Sequence, residues 1–210
     1  MFKQQGKAGR GICAAKDDRV KLTGGNSNTK EFNMEKANDV KVRVETAADI
    51  HAVRKLNKKA FKGNSESKLV DAIREADYFI PGLSLVAEKD GVVVGHILFT
   101  PIRIVDAKNE TPALALAPMA VLPEFQNKGI GSALVKSGLG ECKKAGHKII
   151  VVVGHDEYYP RFGFVKAAAK GLELPFEAPD EVFMVLELVP GALDGVKGMV
   201  EYPAAFHAVE

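Results

Sequence analysis

An apolar strand, a glycine-containing loop and an amphipathic helix follow one another without a gap over residues 113–145. The strand pattern covers residues 113–121, and Leu134, Val135 and Cys142 recur at helical spacing further along the chain. A strand and a helix that are joined in this way each have an apolar face to bury, and packing the helix on a sheet buries both. This run therefore predicts a domain in which helices cover a sheet.

The rest of the hydrophobic pattern adds further elements of the same kinds. Two helices follow the first predicted strand, and they begin near Thr46 and Ser65. The turn dipeptide Asp90-Gly91 joins the second and third strands as an antiparallel hairpin. The order of elements, strand, two helices, three strands, helix, strand, short helix and strand, predicts the α/β (α+β) class. The predicted strands are residues 40–44, 83–88, 92–104, 113–121, 149–153 and 182–188.

The composition permits a substantial core. The chain has 210 residues, of which 46% are hydrophobic and 27% charged, and these values exclude a disordered or collagen-like protein. The net charge is +2, which gives no electrostatic reason to expect nucleic acid binding. No apolar run approaches the roughly 20 residues of a membrane helix, and the first residues lack the apolar stretch of a secretory signal. We expect a cytoplasmic protein without a membrane partner.

The first 39 residues differ from the rest of the chain. They are rich in Gly, Asn and Lys, and they show no sustained hydrophobic period. Residues 24–28 read Gly-Gly-Asn-Ser-Asn, a composition typical of loops. We interpret residues 1–39 as a flexible extension and residues 40–210 as the folded domain.

A metal site is not predicted. Cys13 and Cys142 are too few for a disulfide framework and lack a zinc-binding spacing, so both are expected to be free thiols. The five histidines are scattered, without a pair at His-x-x-x-His spacing. Cys142 falls in mid-helix on the apolar face, where a small buried thiol is the ordinary outcome.

The loop between residues 121 and 132 has the local chemistry of an anion site. The first N–H groups of a helix have no partners within the helix and carry a partial positive charge, and glycine lets the backbone come close to a ligand. A tight strand-to-helix turn is the simpler interpretation of the same residues. A dinucleotide site would need a third glycine where Leu134 stands, and the string of a phosphate-binding P-loop does not occur.

Two motifs resemble one known family. The spacing Gln126-x-x-Gly129-x-Gly131 resembles the acetyl-coenzyme A loop of the GNAT superfamily of N-acetyltransferases, whose usual string is Arg/Gln-x-x-Gly-x-Gly/Ala. Residues 158–164, Tyr-Tyr-Pro-Arg-Phe-Gly-Phe, resemble the family's Tyr-x-x-x-Gly-Phe. Together with residues 116–121 they are similar to the YhbS-like subgroup of predicted acetyltransferases.

The resemblance covers residues 40–206 and implies the family's fold, a mixed, mostly antiparallel central sheet flanked by helices. It implies acetyl-CoA as cosubstrate, with pyrophosphate at the loop and pantetheine laid like an extra strand against the strand before it. Pro118 has no N–H, so it suits a bulge or gap beside such a ligand, or equally a plain edge strand. The residues implied to surround the cofactor are Met119, Ala120, Val121, Gln126, Asn127, Lys128, Gly129, Ile130, Gly131 and Ser132.

Amine acetylation needs an uncharged amine, and the departing thiolate is helped by gaining a proton. Tyr159 falls on the family's tyrosine position, four residues before Gly163, and the resemblance implies that it protonates the coenzyme A sulfur. Many family members carry a glutamate on the strand before the loop, whereas residues 113–121 have no ionisable side chain. His96, His155 and a chain of waters are therefore the candidates for the base.

The leading hypothesis is an acetyl-CoA-dependent N-acetyltransferase that acts by direct attack in a ternary complex. Its acceptor is expected to be the primary amine of a small molecule or peptide, in a pocket shaped by residues 61–67 and 193–206 on the family's pattern. The missing glutamate motivates the alternative of a non-catalytic acyl-CoA sensor or regulatory module, and dinucleotide binding is a third hypothesis. An exposed edge strand near residues 182–188 suggests a possible homodimer.

Overall fold

One ten-stranded sheet organises the part of the chain that the structure describes, residues 40–207 and the pair Cys13–Ala14. The structure is a computed structural model. Its helices are α1 (Ile50–Phe61), α2 (Ser65–Arg74) and α3 (Ile130–Lys144). Its strands are β1 (Cys13–Ala14), β2 (Val40–Val44), β3 (Ser84–Lys89), β4 (Val92–Val105), β5 (Glu110–Val121), β6 (Ile149–Val153), β7 (Val165–Lys166), β8 (Leu172–Glu173), β9 (Phe183–Glu187) and β10 (Gly198–Glu201).

The main path through the sheet runs β2-β3-β4-β5-β6-β9-β7. Every pair along it is antiparallel except β5 and β6, which run parallel. β10 pairs antiparallel with the far end of β4 and parallel with β8, while β1 pairs parallel with β5. The predicted class is confirmed, since a mixed and mostly antiparallel sheet lies between helices.

Local chemistry explains where α1 begins. The side chain of Asp49 accepts hydrogen bonds from the backbone N–H and the hydroxyl of Thr46, both at 2.8 Å. The N–H of Asp49 donates in return to the carbonyl of Thr46 at 3.0 Å. These bonds satisfy donors that a helix start would otherwise leave without partners, so the predicted start of α1 is confirmed.

The helices cover opposite faces of the sheet because successive strand residues point to opposite sides. Ala120 of β5 is buried with side chains of α1 and α2, whereas its neighbour Met119 is buried with side chains of α3. α3 approaches its face closely at Gly138, where a Cβ would lie 2.4 Å from Cε2 of Phe99. The absence of a side chain at this position sets the distance between helix and sheet.

β5 is irregular at Pro118, and β6 pairs with only a short part of one of its edges. Its pairing with β4 shifts register between Ile97, opposite Met119, and Phe99, opposite Leu116, which agrees with the bulge, one of the two interpretations of Pro118. The peptide bond between Ala117 and Pro118 is cis. β6 pairs with the other edge only at Leu114 and Ala115. Beyond Ala115, β5 therefore runs on to Val121 without β6 beside it.

One expectation about the sheet edge is wrong, and one about the first 39 residues stays a prediction. The predicted exposed edge at residues 182–188 is wrong, because β9 pairs with β6 on one side and with β7 on the other, at Met184 and Val185. A strand of two residues such as β7 has no period that a sequence can display. The flexible extension falls on residues 1–39, of which only Cys13–Ala14 is described, so it stays a prediction.

Candidate active site

The end of β5 is tied to the loop that follows it. The N–H of Leu122 donates to the carbonyl of Val94 at 2.9 Å, and a short 3₁₀ turn then covers Pro123–Phe125. The side-chain amide of Gln126 donates back to the carbonyl of Val121 at 3.0 Å. Gln126 thus fixes the loop to the strand end, a positioning role that its place in the motif did not reveal.

The loop enters α3 through left-handed backbone. Asn127 has a φ of 60° and Gly129, the residue before the helix, a φ of 81°. Glycine adopts this conformation without steric cost, which explains its position at the turn. The first turn of α3 then presents N–H groups that no helical carbonyl can accept, together with the positive end of the helix dipole. An anionic group such as a pyrophosphate fits this end of the helix.

Charged side chains are gathered beside the loop. The ammonium group of Lys128 donates to the carbonyl of Glu124 at 2.7 Å and lies 5.2 Å from the ring centroid of Phe125. Glu124 itself is 54% exposed, and its carboxylate lies 3.8 Å from Nζ of Lys59. Glu124 is therefore a solvated residue. Lys128 adds a cation beside the positive end of α3.

A tyrosine hydroxyl approaches the first turn of α3 at Gly131. A Cβ on this glycine would lie 2.6 Å from the hydroxyl of Tyr158 and 3.9 Å from Cε of Met119. The second glycine of the motif therefore makes room for the segment that carries Tyr158, which returns to the sheet after β6. The loop, β5 and this tyrosine are parts of one packed unit.

The two consecutive tyrosines are both buried but differ in their contacts. The ring of Tyr159 is fully buried and lies edge-on to Tyr158 at 5.2 Å and to Phe164 at 5.4 Å. The guanidinium of Arg161 lies 4.4 Å from the ring centroid of Tyr158 and donates to that residue's carbonyl at 3.2 Å. The Arg161 side chain therefore packs against the Tyr158 ring, a contact that could not be predicted from the sequence.

His96 lies on the opposite face of the sheet, beneath α1, in a buried polar network. Its Nε2 is 3.0 Å from the hydroxyl of Ser84 and 3.5 Å from Oε2 of Glu45, and its Nδ1 is 3.4 Å from the side-chain amide of Asn57. Burial of the ring lowers the pKa of His96 below its usual value of 6.5, although the Glu45 carboxylate acts in the other direction. The imidazole is therefore neutral at pH 7.

Glu45 anchors the same network. Burial disfavours its charged form, but the hydrogen bonds from His96 and Ser84 and the positive charge of Arg74 outweigh this, so the pKa of Glu45 is lowered. Its Oε1 lies 2.5 Å from the guanidinium of Arg74, and the hydroxyl of Ser84 donates to its Oε2. The sheet separates His96 from the predicted cofactor loop. Within the sheet, His96 of β4 is paired with Ala120 of β5.

The other candidate groups lie elsewhere. His155 is exposed, and its carbonyl accepts from the N–H of Tyr158 at 3.1 Å. Cys142 is fully buried, and burial raises the pKa of its thiol to about 12. Across residues 40–207, no group of three or more His, Cys, Asp or Glu side chains could hold a metal ion. Over the same residues, no helix has both the length and the apolar character needed to cross a membrane.

The structure brings most of the predicted cofactor residues to one place. Met119, Ala120 and Val121 end β5, and residues 126–132 lead directly into α3. Tyr159 shares a buried cluster with Met119 on the α3 face, while His96 faces α1 and His155 faces solvent. Sequence reasoning missed Tyr158 as the hydroxyl beside the loop and did not predict β1.

Comparison with known proteins finds similar sequences in one family. The pattern of the acetyltransferase (GNAT) family matches residues 50–164 of the chain. The uncharacterized N-acetyltransferase YjhQ of Escherichia coli K12 is 36% identical over 135 residues, which are 64% of this chain and 75% of that protein. The uncharacterized N-acetyltransferase YhbS of the same strain is 32% identical over 166 residues, 79% of this chain and 98% of its own length.

Two solved structures have similar folds. The YhbS protein of Escherichia coli in complex with CoA superimposes with a TM-score of 0.75 at 31% identity, over 80% of this chain and 92% of that one. A GNAT family acetyltransferase from Brucella melitensis in complex with acetyl-CoA gives a TM-score of 0.65 at 34% identity, over 80% of this chain and 97% of that one. The resemblance that the motifs indicated is confirmed.

Proposed function

Since this chain belongs to the acetyltransferase (GNAT) family, we propose that it transfers the acetyl group of acetyl-CoA to a primary amine, by direct attack in a ternary complex. The observation that carries the proposal is the junction of β5 and α3. There a strand edge that β6 does not cover, a left-handed Gly129 and a close packing contact at Gly131 meet the positive end of a helix. Proteins of similar fold have been crystallised with CoA and acetyl-CoA.

Each part of this junction has a role in holding the cofactor. The N–H groups of residues 127–132 and the ammonium of Lys128 would bind the pyrophosphate. The backbone of Met119, Ala120 and Val121 would pair with the pantetheine arm as a strand pairs with its neighbour. Gln126 holds the loop in place through its bond to Val121. Bound acetyl-CoA would supply an activated acyl group, and the chain's residues would orient it and exclude water.

The two tyrosines have different proposed roles in the reaction, and water is proposed to carry the amine proton. Tyr159 is proposed as the acid that protonates the leaving sulfur, because its phenol is held on a fully buried ring and remains protonated at neutral pH. Tyr158 is proposed to shape the cofactor loop through its contact with Gly131. The amine proton is proposed to leave through water, because His96 is enclosed by Glu45, Ser84 and Asn57.

The acceptor is proposed to be a small molecule or a peptide with a primary amine. It would bind on the α1 and α2 face, where Ala205 shares a buried cluster with Ala120 and Phe206 packs at its rim. This arrangement supports the expectation that a late segment of the chain shapes the pocket. An enzyme that consumes acetyl-CoA would work in the cytoplasm, and that location is part of the proposal.

One observation favours a second candidate function. β5 carries no ionisable side chain over residues 113–121, so no carboxylate in this part of the strand can serve as a base. A protein that binds acyl-CoA as a sensor needs no such group. Release of free thiol from acetyl-CoA in the presence of a panel of amines separates the two functions, because a sensor binds the thioester without consuming it.

The first experiment is a calorimetric titration of the full chain with acetyl-CoA, CoA and NAD. The proposal predicts that both coenzyme A ligands bind, that NAD does not, and that replacing Gly129 and Gly131 together by valine abolishes binding. Gly140→Ala is the matched control, because it lies on α3 with no heavy atom within 4 Å of its Cβ position. A folded protein that binds NAD and neither coenzyme A ligand would contradict the acetyltransferase function.

A further inference from the structure

The edge of β5 that β6 leaves uncovered is paired with another strand of the same chain. β4 pairs along one side of β5 from Glu110 to Val121, but β6 covers the other side only at Leu114 and Ala115. A strand edge of this kind presents N–H and C=O groups that another extended backbone can bind. In the structure that backbone is β1, which runs parallel to β5 at this edge.

The position of β1 coincides with the proposed pantetheine site. Cys13 is paired with Met119, and Ala14 is paired with Ala120. These are two of the three β5 residues to which the pantetheine arm is assigned above. Pro118, immediately before them, has no N–H to donate, so pairing at this edge depends on Met119 and the residues after it. A backbone N–H or C=O that is bonded to β1 is not available to a second strand-like ligand.

We infer that this edge of β5 is a strand-accepting surface, which the chain's own segment around Cys13–Ala14 covers in the free protein and leaves when acyl-CoA binds. The inference rests on the proposed function, because it takes the pantetheine site from it. Its occupant is a named segment of the same chain, and the amino-terminal region thereby lowers the affinity of the site for its cofactor. The apparent dissociation constant rises in inverse proportion to the fraction of molecules whose edge is free.

The test uses the full chain with two substitutions in the segment. Cys13→Pro together with Ala14→Pro removes both N–H groups of β1 and disfavours its pairing with β5. Ser27→Pro together with Asn28→Pro is the control, since it places the same residues elsewhere in the amino-terminal region. We expect the first variant to bind CoA about tenfold more tightly than the parent, because a weakened β1 pairing leaves the edge free in more of the molecules, and the control to match the parent. Equal affinity in all three proteins would overturn the inference and leave the proposed function intact.

Hydrogen exchange gives a second readout that does not depend on affinity. In the free parent, amide protection is expected at Cys13–Ala14, and saturating CoA is expected to remove it. Fast exchange in the free parent would contradict the inference. Slow exchange that appears only at high protein concentration would also contradict it, because it would assign the edge to a second copy of the chain. If neither the parent nor the variant binds CoA, the proposed function fails, and slow exchange of these amides would still show that β1 covers the edge.

A synthetic peptide of residues 8–19 completes the experiment. Added to the Cys13→Pro, Ala14→Pro variant, it is expected to raise the apparent dissociation constant for CoA toward that of the parent. A peptide of the same residues with proline at both positions is its control. A peptide that leaves CoA binding unchanged at concentrations where it binds the protein would overturn the shared site.

Discussion

The hydroxyl of Tyr158 lies against Gly131, so close that a Cβ on this glycine would stand 2.6 Å from the phenolic oxygen. The contact joins the segment after β6 to the helix start proposed to bind pyrophosphate. Arg161 holds the same ring from the solvent side, with its guanidinium 4.4 Å from the ring centroid. A side chain at position 131 therefore has to displace either the tyrosine or the first turn of α3.

Gly131→Ala is expected to weaken CoA binding. The added methyl group occupies the space of the Tyr158 hydroxyl, and moving either partner disturbs the N–H groups of the loop. We expect the dissociation constant measured by calorimetry to rise about tenfold, which corresponds to about 1.4 kcal/mol. Gly140→Ala, on the same helix with open space around it, should leave the affinity unchanged. Equal affinities for the two variants would show that the contact does not position the loop.

Replacing each tyrosine by phenylalanine separates the acid from the positioning residue. Tyr159→Phe removes a hydroxyl from a fully buried ring and should lower kcat about 100-fold, the usual size of a general-acid contribution, without weakening CoA binding. Tyr158→Phe should instead weaken CoA binding and lower kcat less. Both constants come from thiol-release assays combined with titration. The opposite pattern would transfer the acid role to Tyr158.

Packing of α3 gives a prediction about stability. A Cβ at Gly138 would lie 2.4 Å from Phe99, whose ring is fully buried and cannot move aside freely. Gly138→Ala is expected to lower the free energy of unfolding by about 1–3 kcal/mol, as overpacked cores do. Gly140→Ala should raise it by up to about 1 kcal/mol, because alanine favours the helix more than glycine does. Urea denaturation of both variants measures the difference, and a stable Gly138→Ala would mean that α3 lies further from the sheet.

The sequence predicts the elements with a clear period and the loop between β5 and α3. α1, α2, α3 and the strands β2 to β6 fall within a few residues of their predicted positions, because each has an apolar face that repeats along the chain. β7 and β8 each contain two residues, and β10 contains four, so these strands are too short for a hydrophobic repeat that would predict them. The order of the strands in the sheet likewise depends on contacts between distant segments.

The candidate site, like the fold, can be predicted from the sequence only in part. The motif identifies Gly129 and Gly131, because a left-handed turn and a close packing contact both need glycine. It does not show which of two neighbouring tyrosines contacts the loop, because adjacent residues point in different directions and only tertiary packing decides between them. The enclosure of His96 by Glu45 and Asn57 could not be predicted either, since these residues lie 51 and 39 positions from it along the chain.

The buried imidazole makes stability depend on pH. Burial lowers the pKa of His96 in the folded protein, whereas the unfolded chain titrates near the usual value of 6.5. Below pH 6.5 the unfolded state therefore binds a proton that the folded state does not, and protonation favours unfolding. Stability should be complete above about pH 7 and should fall as the pH drops from 6.5 toward the lowered pKa, by up to about 1.4 kcal/mol per pH unit.

Urea unfolding between pH 5 and pH 8 measures this loss, and two variants assign it. His96→Gln removes the fully buried imidazole, so the slope between pH 5 and pH 6.5 should become smaller, whatever the variant's absolute stability. Burial also lowers the pKa of His147, so this second imidazole is expected to supply the slope that remains. His155→Gln removes an exposed imidazole and should retain the parent slope. Glu45 has a lowered pKa as well, but its contribution is lost only as the pH falls below its usual value of 4.5, which lies outside the interval from pH 5 to pH 8 that is measured. A slope that is as steep in His96→Gln as in the parent would place the titrating group elsewhere in the protein.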